Sequence, residues 1–153
     1  MFRISGLLLI FLSVFMQFYK STVKNRLNIN FINDTVNLLQ HIQLNVNSGK
    51  SYPEIIKNNS YGIYKNFDFY NREILYNSLL KSKLLKKDTV DIVFNIFSSL
   101  GKNSVYEETI YINRQLKQLK EKMKELKDEY NRNKKANLTA GISAGLIVVI
   151  LLI

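Results

Sequence analysis

Apolar residues recur along the last third of the chain at Ile112, Leu116, Leu119, Met123, Leu126 and Tyr130, spaced 4, 3, 4, 3 and 4. Lys, Glu and Arg fill most positions between them, so the pattern predicts an amphipathic helix with a coiled-coil-like seam. Past Tyr130 the seam gives way to Arg132, Lys134 and Lys135, then to an uncharged run over residues 138–153 that closes on Leu, Ile and Val alone. The expectation is one long helix from Val105 to Ile153. At about 1.5 Å per residue the uncharged run spans about 24 Å, against about 30 Å of bilayer hydrocarbon, with Lys134 and Lys135 snorkelling across the shortfall. A second uncharged run, Ile4 to Tyr19, follows Arg3. It leaves through Phe18, Tyr19 and Lys20, bulky side chains where a signal peptidase selects small ones, so it reads as an uncleaved anchor.

Between these ends the pattern is helical throughout. Leu27, Ile32, Val36, Leu39, Ile42 and Val46 form a stripe that carries the first helix on to about Asn47, and Ser48-Gly49-Lys50 ends it. Ser51-Tyr52-Pro53-Glu54 has the form of a capping box with Pro in the first turn, opening a short helix. Ile63 to Ser82 is rich in Tyr and Phe, with Ile63, Phe67, Tyr70, Ile74, Leu75 and Leu79 on adjacent turns. Asp88 is the expected N-cap of a helix whose apolar face is Val90, Val93, Phe94, Phe97 and Leu100, with Gly101 just past its end. Ser104 and Glu107 make a second capping box at the head of the last helix. No stretch alternates as a strand does. The fold class is therefore all-α, an antiparallel bundle of about six helices whose two long terminal helices continue into the membrane. The division is residues 1–19 as an N-terminal transmembrane anchor, 20–137 as a cytoplasmic helical bundle, and 138–153 as a C-terminal transmembrane helix.

Charge adds an orientation. The net charge is +10, and 21 of the 22 Lys and Arg lie between Lys20 and Lys135. Positive charge next to both apolar runs places the intervening segment on the cytoplasmic side. Lys20, Lys24, Lys134 and Lys135 form the expected lipid-facing basic ring, with membrane lipids as partners. Gly6 and Ser13 on the first run, and Gly141 and Gly145 on the second, are the small residues suited to membrane helix packing. Pro53, Glu54, Leu100 and Gly101 are the candidate protein-interaction tips.

The chemistry of catalysis is missing from the sequence. There is no Cys and only one His, His41, which excludes thiolate nucleophiles and Cys- or His-rich metal sites. No phosphate-binding Gly loop and no nucleophile–base pair stands out. The expectation is no enzyme, with no catalytic residue, cofactor, metal or small-molecule substrate. Acids such as Glu107, Glu108, Glu121 and Glu125 read as a solvated helix face. The aromatic residues read as core rather than as stacking platforms, so no nucleic acid is expected. A second reading is a membrane-tethered coiled-coil module that pairs through its seam with a helical partner in trans, and a third is a secreted basic nucleic-acid binder.

The N-terminal apolar run with its basic exit, the Leu-rich helix ending before Pro53-Glu54, Phe97-Ser98-Ser99-Leu100-Gly101, and the Leu/Lys/Glu helix entering a Gly141- and Gly145-containing tail together resemble the stage III sporulation protein AB family. Where that family carries acidic residues and a Leu ahead of its Pro-Glu, this chain has His41, Gln43 and Tyr52. The resemblance implies a domain similar to the cytoplasmic domain of the inner-membrane platform protein of type II secretion. It implies a non-enzymatic scaffold of a channel-like sporulation complex in the mother-cell membrane around the forespore. The implied partners are the other subunits of that complex, including a secretion-like ATPase.

Overall fold

The structure is a computed structural model that describes residues 2–46, 48–57, 62–64, 71–81 and 83–152. Five α-helices and one 3-10 turn stand among the described residues: α1 (Phe2–Val46), α2 (Tyr52–Lys57), the turn Gly62–Tyr64, α3 (Arg72–Lys81), α4 (Lys87–Ser99) and α5 (Val105–Leu152). There is no strand among them. Against the bundle of about six helices expected from sequence, the described residues hold five, with the Gly62–Tyr64 turn between α2 and α3. Phe67 and Tyr70 lie outside the described residues.

Two long helices organise the rest. The seam of α5 is buried against α1: Ile112 and Leu119 are fully enclosed, and Leu116 and Leu126 are nearly so. Each such side chain removed from water contributes about 1.5–3 kcal/mol. From α1 they meet Ile32, Val36, Leu39 and Ile42, and Phe31 and Leu38 widen the buried face beyond the expected stripe. The seam is therefore satisfied within the chain, which removes the motive for pairing in trans. The helices run antiparallel. Arg26 Nε donates to Tyr130 Oη at 3.3 Å, with the guanidinium 5.9 Å from the ring centre. Gln43 Nε2 donates to Asn113 Oδ1 at 2.8 Å, 17 residues further along α1 and 17 back along α5.

The shorter elements pack on one side of this hairpin. α2, the 3-10 turn and α4 lie against α1, and α3 lies against α4. Tyr64 drives the turn inward, stacked on Phe31 and tilted against Phe97 at centroid distances of 6.3 and 5.5 Å, with its hydroxyl 2.6 Å from that of buried Thr35. Gly62 is required there: its φ is +47°, and a Cβ at this position would sit 1.8 Å from an Asp34 carboxylate oxygen. In α3 the inward positions are Leu75, Tyr76, Leu79 and Leu80, whereas Ile74 is exposed. The expected stripe through Ile74 is displaced because the Tyr76 ring packs, tilted, 4.5 Å from that of Phe94 and its hydroxyl donates to Asp91 at 2.7 Å, fixing the rotation of the helix.

A buried amide holds the α3–α4 connection. Asn28 donates to the Leu84 carbonyl at 3.3 Å and to the Lys24 carbonyl at 2.7 Å, and accepts the Lys86 N–H at 2.8 Å. This contact sets where α4 begins. The helix starts at Lys87 with Lys86 as its cap residue, so Asp88 sits in the first turn and is not the N-cap. Its carboxylate accepts the Thr89 N–H at 2.8 Å and pairs with Lys122 of α5 at 3.0 Å. Burial opposes the ionised form of Asp88, but the hydrogen bonds from Lys122 and Thr89 outweigh it and hold its pKa below the ordinary carboxylate value.

The chain ends differ from expectation. The helical segments continue through them as parts of α1 and α5, but among the described residues no helix is long and apolar enough to cross a membrane. Exposed Ser13, Tyr19, Thr139 and Ser143 interrupt the described stretches with polar groups, and the 138–153 run is some 6 Å short of a hydrocarbon core by its own length. The two-pass topology does not stand. With it go the cytoplasmic assignment of residues 20–137 and the mother-cell membrane location.

Two stability predictions follow from this packing. Leu119→Ala should lower the unfolding free energy by about 2–5 kcal/mol in a urea titration, and Leu119→Asp should prevent folding, while Leu138→Ala at an exposed site should change it by less than about 0.5 kcal/mol. Asn28→Ala strands the Lys86 N–H and should cost about 1–3 kcal/mol, whereas Asn30→Ala, two residues on and exposed, should be near neutral.

Candidate functional site

The tip residues singled out in the sequence come together at the end of the hairpin where α1 gives way to α2 and α4 gives way to α5. The junction is built on Gly101. It follows the last turn of α4 with a φ of +78°, which lets the chain reverse towards α5. A Cβ there would lie 3.3 Å from the Tyr52 ring, so the glycine also lets the first residue of α2 approach.

Glu108 organises this end. The sequence placed it on a solvated face, but its relative exposure is 1%. Oε1 accepts the Gly101 N–H at 2.8 Å and Oε2 accepts Asn103 Nδ2 at 3.1 Å. The Tyr52 hydroxyl also bonds to this carboxylate: burial first, then the hydrogen bond and negative charge of Glu108, push its pKa well above the usual tyrosine range. One carboxylate thus joins α2, the α4–α5 turn and α5. Its neighbour Glu107 does what the sequence signalled, with its carboxylate accepting the Ser104 N–H at 3.1 Å in the capping box. The signal separating the two acids is register. Glu108 stands four residues before Ile112 on the buried seam, and Glu107 does not.

Within this tip, Glu54 and Gly101 are exposed, Pro53 is half-buried, and Leu100 is buried at 2% exposure. Leu100 therefore serves the core, and of the four only Pro53, Glu54 and Gly101 reach the surface. The basic residues gather at the other end. Lys20 and Lys24 of α1 and Lys134 and Lys135 of α5 are all exposed, and the Arg26–Tyr130 register brings the two pairs to similar levels. The space around Gly141 and Gly145 is open, with nothing within 4 Å of an added Cβ. Ser13 is exposed, and Gly6 lies outside the residues whose surroundings are described. Among the described residues no group of three His, Asp or Glu side chains is placed to hold a metal ion. The single His41 is half-buried on α1.

The tip gives a prediction in pH and in stability. A tyrosine whose pKa is raised by folding adds stability that is complete below its unfolded value, near 10, and is lost as the pH climbs beyond it. Thermal stability should therefore fall above about pH 10, and Tyr52→Phe should make that fall shallower. Glu108→Ala should cost about 2 kcal/mol or more by stranding the Gly101 N–H and Asn103, against about 1 kcal/mol for the cap loss in Glu107→Ala.

A family model described as stage III sporulation protein AB matches residues 72–153, which contain α3, α4, α5 and the Leu100-Gly101 tip. No curated protein and no solved structure matches the chain. The matched family is a sporulation family, and not a known enzyme family. With more than half of its length matched, this chain belongs to the stage III sporulation protein AB family.

Proposed function

We propose that this chain is a non-enzymatic scaffold of the stage III sporulation complex. The family match over α3 to α5 is the observation that carries the reading. In this role the hairpin of α1 and α5 is a rigid spacer, and the end bearing Pro53, Glu54 and Gly101 is presented to other subunits of the complex, among them a secretion-type ATPase. Support for that end comes from its construction. Glu108 ties three segments into a fixed shape, and a surface held rigid before binding loses little conformational entropy on docking.

The test is deletion of the gene in its source organism, with microscopy of sporulating cells carrying a late forespore reporter. The expected outcome is normal engulfment followed by arrest with a silent forespore. Normal yields of heat-resistant spores would overturn the proposal. Glu54→Lys, which leaves the core intact, should reduce recovery of the ATPase with the tagged chain.

A further inference from the structure

One flank of the hairpin carries two matched, mostly polar rows, of which the α1–α5 contact uses Asn113. On α5, Asn113, Lys117, Lys120, Lys124 and Lys127 are spaced 4, 3, 4 and 3, one position on from the buried seam. On α1, Asn30, Asn33, Asn37, Gln40 and Leu44 are spaced 3, 4, 3 and 4. The antiparallel register set by Gln43–Asn113 and Arg26–Tyr130 brings the two rows to the same levels along the hairpin, and Gln40 and Lys117 line one groove. Between them runs an open groove of about 550 Å³ whose lining includes Gln40, Gln43, Leu116, Lys117, Lys120 and Lys124.

Positive charge is in excess here. Glu121 lines the groove too, as its one acid. The other acids of α5 fall at other register positions, and those on the opposite flank are paired: Glu125 with Lys122, and Glu129 with Lys86. Among the described residues no salt bridge reaches Lys117, Lys120, Lys124 or Lys127. Consecutive lysines three or four apart repel one another, which disfavours the helix. The chain keeps three such neighbours in a row at a place where α1 offers only neutral amides. That arrangement suits a ligand that brings the missing negative charge.

We propose that this groove docks an acidic α-helix of another protein, one with carboxylates at intervals of three and four residues. Four lysines from Lys117 to Lys127 extend over about 15 Å, matching about ten residues of such a helix. The amides of α1 supply donors and acceptors along its other edge, and Leu116 gives the floor an apolar contact, as in helix-in-groove recognition. Single-stranded nucleic acid fits less well, because no aromatic side chain lines the groove to stack a base. The inference rests on the scaffold reading for its setting and names the chemistry of one partner.

The experiment uses the full chain and a labelled alanine-based peptide of about 20 residues, long enough to be helical, with Glu at 3- and 4-residue spacing along one face. A control peptide has the same composition with its Glu spread around the helix. Binding is read by fluorescence anisotropy. The patterned peptide should bind at least about tenfold more tightly than the control, weaken as salt rises, and lose at least about tenfold in the double variant Lys120→Glu, Lys124→Glu. The variant Lys50→Glu, Lys102→Glu makes the same change in net charge away from the groove and should bind as the parent does. Equal binding of the two peptides, no binding, or equal loss in both variants would each overturn the proposal. So would displacement of the patterned peptide by an oligouridine RNA or by phosphatidylglycerol vesicles at lower concentration than the peptide itself. If the peptide fails while the gene deletion still arrests sporulation, the groove inference falls and the scaffold reading remains.

Discussion

Everything in this molecule depends on the burial of one apolar seam. Isolated helices as long as α1 and α5 have no reason to lie together, and the surface positions of α1 are rich in Asn, a modest helix former. What joins them is the removal of Ile112, Leu116, Leu119 and Leu126 from water against Ile32, Val36, Leu39 and Ile42. The shorter elements then have a surface to pack on. α2 contributes Ile55 and Ile56, the 3-10 turn contributes Tyr64, and α4 contributes Val90, Val93, Ile96 and Phe97, all closing the same core from one side.

Burial alone would leave these small elements free to settle in several ways. Three buried polar groups restrict the choice. Asn28 fixes the chain between α3 and α4, Thr35 fixes the hydroxyl of Tyr64, and Glu108 fixes the turn between α4 and α5. Each has its partners in place, since among the described residues no buried side-chain nitrogen or oxygen lacks a hydrogen bond. Hydrogen bonds of this kind add modest net stability, but a wrong packing would leave the same groups unpaired at a cost of about 1–3 kcal/mol each. The polar interior thus selects among the arrangements that the apolar interior permits.

Local signals were readable where a residue acts on its own neighbours. The Ser104–Glu107 box, the reversal at Gly101 and the seam of α5 are written in short stretches of sequence, and the structure has each of them. Signals that depend on distant chain were not readable. Glu108 is set apart in sequence only by its register with Ile112, and its role shows only when Gly101, Asn103 and Tyr52 surround it. Ile74 looks like a core residue until Tyr76 finds Phe94 and Asp91 and turns α3 by its own preference. Asp88 has the composition of a cap, but Asn28, 58 residues away from Lys86, decides where that helix begins. Leu100 was legible as important, but as core and not as surface. The apolar chain ends show the same limit: a run of hydrophobic letters gives a mean character, while the length and the polar interruptions of the described helices decide what it can span.

The paired links Arg26–Tyr130 and Gln43–Asn113 hold about 25 Å of α1 and α5 in one register. A single inserted residue in either helix between those links would turn everything beyond it by about 100°, carrying buried leucines to the surface and lysines to the core. Seven residues added to both helices would restore the faces. The hairpin can therefore change length only in whole heptads and only on both arms together, so its reach is quantised.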